Sequence, residues 1–99
     1  MAMLEVSVVP IGTSSPSLSH FVAEMVKPLK ETRGIKYELT AMGTVIEGEL
    51  DILLDCAKKM HRAAFSGGVK RVVTTIKIDD RIDQPLTISG KVSSVRAKL

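Results

Sequence analysis

The chain has 99 residues, of which 25% are charged and 44% hydrophobic, and its mean hydropathy is +0.18. That length supports one domain, residues 1–99, around a two-layer core, and the lone Cys56 excludes an internal disulfide framework or a paired-cysteine zinc site. The net charge of +3 lies in Lys91, Arg96 and Lys98, since residues 1–83 balance eleven basic against eleven acidic side chains. No apolar run nears the ~20 residues of a membrane span, and Met1 to Pro10 lacks the basic start of a signal peptide. A soluble, cytoplasmic protein is expected, with neither nucleic acid nor membrane as partner.

Residues 3–10 alternate, with Leu4, Val6 and Val8 on one face and Glu5 and Ser7 on the other. This predicts a strand stopped at Pro10, which has no N–H for a ladder. The turn chemistry of 12–17 leads into a helix capped by Ser15, ahead of Pro16, or by Ser17. Leu18, Phe21, Val22, Met25, Val26 and Leu29 recur at helical spacing. Pro28 predicts a kink or a loosened last turn, and Gly34 a stop.

Residues 37–41 and 44–48 read as two strands joined tightly through Met42-Gly43, which implies a hairpin. Glu49 and Asp51 open a second helix and Lys58, Lys59 and Arg62 close it, each matched to the helix dipole. Its apolar stripe is Leu50, Leu53, Leu54, Ala57, Met60 and Ala64, with Gly67-Gly68 as terminator. Residues 71–79 form a strand with Val72, Thr74, Ile76 and Ile78 on one side and Val73, Thr75 and Lys77 on the other. After a charged loop, Ile88, Val92, Val95 and Leu99 fit a short last helix despite Gly90.

Strand, helix, strand, strand, helix, strand and tail helix make an α+β fold, a ferredoxin-like βαββαβ sandwich with a short C-terminal helix. Both long helices cover one sheet face. The other is expected to present Glu5, Ser7, Glu38, Thr40, Val45, Glu47, Val73, Thr75 and Lys77.

No catalytic motif emerges from these residues. His20 reads as a helix-start residue and His61 as a helix-edge one, and neither is spaced to work with a carboxylate or with Cys56. Cys56 has no activating cation beside it and reads as a small buried apolar residue. Asp79, Asp80 and Asp83 lack the closing Glu and the Gly of a calcium loop, and with Arg81 they read as a surface charge network. RNA-recognition domains of this topology stack bases on aromatics, whereas the corresponding places here hold Glu5, Ser7, Val45 and Glu47. Acylphosphatase-like and metallochaperone readings fail for want of Asn and of Cys-x-x-Cys. No metal or cofactor is expected.

Three stretches carry a resemblance: 4–13 (Leu-Glu-Val-Ser-Val-Val-Pro-Ile-Gly-Thr), 37–49 (with Met-Gly-Thr-Val-Ile-Glu-Gly), and 72–81 (with Thr-Thr-Ile-Lys-Ile-Asp-Asp-Arg). Together with the Ser-Leu-Ser opening of the first helix, they resemble the small thiamine-binding, YkoF-like proteins over nearly the whole chain. The resemblance implies binding of thiamine or its hydroxymethylpyrimidine portion by a homo-oligomer, commonly a dimer of dimers (a homotetramer), without catalysis, as carrier or sensor.

Chemistry suggests how such a ligand would be held. A carboxylate such as Glu47 accepts from the pyrimidine amino group or pairs with the thiazolium cation. Ser7, Thr44 and Thr75 offer hydroxyls that both donate and accept. Val9, Ile46 and Met42 cover the rings, and Lys77 neutralises Glu5 or Glu47. Strand parity sets Thr44 and Ile46 opposite to Glu47, so these residues cannot all line one flat face. The alternatives are a regulatory or assembly module, which binds another small ligand or a protein at the same sheet surface, and an enzyme using His61 or Glu47.

Overall fold

Alternation and helical spacing become four strands and three helices in the computed structural model, which describes residues 1–14 and 18–99. In order these are β1 (Ala2–Ile11), α1 (Ser19–Lys30), β2 (Lys36–Leu39), β3 (Thr44–Gly48), α2 (Leu50–Ala63), β4 (Arg71–Asp80) and α3 (Ile88–Arg96). The sheet runs β2-β3-β1-β4, antiparallel throughout, which is the ferredoxin-like order. The expected cap at Ser15 or Ser17, and Pro16 as the first helical position, lie outside the described residues.

Register fixes the two faces. Leu4 stands between Ile46 and Ile78, and Val6 between Thr44 and Ile76, so these residues share the helix-covered side. There Ala2, Leu4, Val6, Val8 and Ile46 meet Met25, Val26 and Leu29 of α1 and Leu53, Cys56, Ala57 and Met60 of α2. Cys56 is buried in this core, as expected of a small apolar side chain. Leu54 departs from the predicted stripe and stays exposed, as do Ile76 and Ile78 on the helix-covered side of edge strand β4.

Pro28 falls in the last turn of α1, so its missing N–H does not break the helix. The turn closes with tighter bonds instead: Glu31 N–H donates to the Pro28 carbonyl and Thr32 N–H to that of Leu29, both at 3.3 Å. Gly34 then takes φ +81°, the left-handed conformation that lets the chain turn into β2.

β2 ends at Leu39, two residues short of the predicted strand. The Thr40 hydroxyl claims the turn, donating to the Gly43 carbonyl (2.8 Å) and accepting from the Met42 and Gly43 N–H groups at 3.3 and 3.2 Å. Thr40 is therefore a loop organiser rather than a member of the open sheet face.

Candidate functional site

The two central strands end unevenly. Val6 is the last β1 residue with a partner in β3, whereas Ser7 to Ile11 have register partners only in β4. The sheet thus has a notch on the β3 side of β1, walled by the 39–43 turn and by α1. Gly43 permits this: a Cβ there would sit 3.1 Å from the Val6 carbonyl oxygen, so the turn could not approach β1 as closely.

The notch is a groove of about 370 Å³, within the range of small-ligand sites. Leu18 with Val22, Met25 and Val26 of α1, and Met42 and Met60, supply apolar walls, and Thr40 and Thr44 are polar lining residues, while Ser7 reaches the rim from the open face that it shares with Thr75. Among the described residues its lining holds no charged side chain. The chemistry on offer is apolar contact with the faces of a flat ring and neutral hydrogen bonds to its edge.

Five of the six residues expected to bind ligand fall into three places. Ser7 and Thr44 border the groove, together with Val9 and Met42. Ile46 lies fully buried in the core. Thr75 pairs with Ser7 across the open face, and Lys77 pairs with Glu5 there, its Nζ 3.8 Å from Oε1. Of the two acids considered as its partner, register selects Glu5.

Glu47 is where the structure corrects the expectation most. It belongs to the open face by register, opposite Met3 and Lys36, yet it is only 4% exposed because α3 folds across that end of the sheet. Its Oε2 accepts a hydrogen bond from the Ile88 N–H, in the first turn of α3. A carboxylate at a helix N-terminus satisfies an orphan donor and the positive dipole end together. Thr87 caps the same helix, accepting from Gly90 N–H at 3.0 Å, and Lys91 ties α3 to Asp79. The Glu47→Ala variant should lose about 2 kcal/mol of α3 docking, seen as faster amide exchange over 88–96 while β1, β3 and β4 stay protected.

The remaining titratable candidates take structural partners. His61 Nδ1 lies 2.6 Å from Thr74 Oγ1, tying α2 to β4. In the loop after β4 Arg81 donates to both Asp83 oxygens, at 2.9 and 2.6 Å, and this bonding holds the Asp83 carboxyl below the usual carboxylate range. A recess of about 550 Å³ beside this loop is larger than the groove, but it is shallow and rimmed by Glu49, Asp80, Arg81 and Asp83. Among the described residues no helix is long and apolar enough to cross a membrane.

Comparison with known proteins matches residues 4–96 to the model of a family described as thiamine-binding protein. The UPF0045 protein YqgV of Bacillus subtilis is 45% identical over 102 residues, covering 100% of this chain and 98% of its own. A UPF0045 protein of Methanothermobacter thermautotrophicus is 44% identical over 100 residues, with full coverage of both chains. Among solved structures, the MJ1052 protein of Methanocaldococcus jannaschii superposes with a TM-score of 0.87 at 37% identity, covering 96% of this chain and 95% of that one. A Thermotoga maritima protein provisionally named for thiamine biosynthesis or salvage superposes at 0.78 with 27% identity, covering 96% and 98%. By its match along nearly the full length and its shared fold, the chain belongs to the thiamine-binding protein family.

Proposed function

We propose that residues 1–99 act as one thiamine-binding-type domain that binds thiamine or its hydroxymethylpyrimidine moiety without catalysis, as a cytoplasmic carrier or sensor. The neutral, apolar groove at the sheet notch carries this reading. An aminopyrimidine is flat and uncharged, with donors and acceptors on its edge, and so matches a slot of methionine, valine and hydroxyl groups. Thr44 supplies a hydroxyl to the ring edge, with Ser7 at the rim on the open-face side, Met42 and Val22 cover its faces, and Ile46 lies in the core on the same sheet face as Thr44. The thiazolium cation of whole thiamine extends towards the mouth, where water screens its charge. Glu47 supports the site indirectly through α3, while Thr75 and Lys77 stand on the open face available to a second copy in a dimer of dimers.

The exposed trio Val9, Ile11 and Val73, together on the open face, favours a second reading as an assembly module using that surface. Titration calorimetry separates the two. Saturable heat with hydroxymethylpyrimidine and with thiamine supports the ligand reading. Absence of heat from either at high micromolar concentration, with folded protein, removes it.

A further inference from the structure

Where α3 crosses the open face, it leaves a cavity of about 480 Å³ between itself and β2, within the range of small-ligand sites. The buried Glu47 lines this cavity. One of its oxygens, Oε2, is taken by the Ile88 N–H, and among the described residues no donor reaches the other, Oε1. Lys36 stands directly opposite Glu47 in the sheet, yet no ion pair joins them. Arg96, in the last turn of α3, also forms no ion pair among the described residues. Both cations line the cavity, as does Glu38, so its charges sum to zero while staying separated. A buried carboxylate is costly unless its charge is matched and its oxygens accept bonds. One half of that requirement is met by α3, and the other is left open towards the cavity.

We propose that this cavity binds a free α-amino acid with an aliphatic side chain. The ammonium group donates to Glu47 Oε1 and supplies the charge that the buried carboxylate lacks. The ligand carboxylate turns the other way, to Lys36 and Arg96 and to the hydroxyls of Ser89 and Ser93. Ser89, Ser93 and Arg96 are four and three residues apart, so they follow one face of α3. Val92 lies on that face too, 44% exposed, and gives the aliphatic side chain an apolar contact. A zwitterion is the class that fits, because a molecule carrying one charge satisfies one end and offends the other. An amine leaves both cations unmatched, and a carboxylic acid brings a second negative charge towards Glu47. The cavity lies on the open side of the sheet, away from the groove at the notch, so this assignment does not rest on thiamine binding.

Amide chemical-shift titration of the full chain with L-leucine tests the assignment, beside two single-charge relatives, 3-methylbutylamine and 4-methylpentanoate. Leucine should give saturable shifts at Lys36, Glu47 and the α3 amides, with Ser7 to Val9 and the 39–43 turn unmoved. Each relative should bind at least about tenfold more weakly, having lost one charge-assisted set of bonds. Arg96→Glu, an exposed change that leaves the core alone, should weaken leucine about tenfold and leave 3-methylbutylamine no weaker. Glu47→Gln keeps an acceptor for the Ile88 N–H but removes the charge, so it should erase the preference for leucine over 4-methylpentanoate. The Arg96 variant decides the matter should the Glu47 variant loosen α3. No saturable shift with leucine at millimolar concentration, equal binding of the three compounds, or leucine shifts confined to the groove would overturn the proposal.

Discussion

Val22→Trp should abolish binding of hydroxymethylpyrimidine and thiamine while leaving the fold intact. Val22 is half-exposed on α1 and forms one wall of the groove. An indole there occupies the space that a pyrimidine ring needs, and it costs little stability because the side chain projects into the groove rather than the core. A fall of at least about a hundredfold in affinity is expected, since overlap with the ligand costs more than a lost contact. The chain has no native Trp, so fluorescence of the new indole reports whether the groove remains apolar. Val22→Ala serves as the control and should keep binding within about tenfold, the worth of a few apolar contacts. Unchanged affinity in a folded Val22→Trp protein would move the ligand elsewhere.

Leu53→Ala should give the largest loss of stability. Leu53 is 0% exposed and stands in the first half of α2, within the core that also holds Leu4 and Ile46. Truncating such a side chain removes its transfer free energy and leaves a cavity, together about 3 kcal/mol. For a chain of this size that lowers the melting midpoint by on the order of 15 °C. The exposed Leu54, which sequence spacing alone would place in the same stripe, should change stability by less than about 1 kcal/mol when truncated in isolated protomers. Equal losses at the two positions would show that α2 is rotated from the orientation described.

The contrast between Leu53 and Leu54 shows where sequence reading succeeds and where it stops. Strict alternation in β1, β3 and β4 places their ends within a residue or two, because a half-buried strand must repeat every two residues. Helical spacing likewise locates α2, but its rotation depends on how far the helix reaches towards β4, and Ile76 and Ile78 remain uncovered. β2 shortens because one hydroxyl, that of Thr40, closes the turn on Gly43, a local competition that alternation does not register.

The groove was legible only in part. Residue chemistry marks Ser7, Thr44, Val9 and Met42 as ligand-facing types, and strand parity separates Thr44 and Ile46 from Glu47. What places Ser7 and Thr44 at one notch is the offset between β1 and β3, a pairing register invisible to a single sequence. The Glu47 environment is a tertiary event: α3 is weakly amphipathic and has no buried residue of its own, so nothing in its pattern announces that it lies across the open face. Thr87 stands where a helix cap is expected, and an acidic side chain on the face opposite the core needs a donor when something covers it.

The most direct measurement is an amide chemical-shift titration of the labelled protein with hydroxymethylpyrimidine. A ligand in the notch shifts the amides of Ser7 to Val9, of the 39–44 turn, and of Val22 and Met25, while Glu47 and the α3 amides stay near their starting positions. Saturating shifts centred on Glu47, Thr75 and Lys77 instead, with the turn unmoved, would place the ligand on the opposite side of the sheet and contradict the assignment.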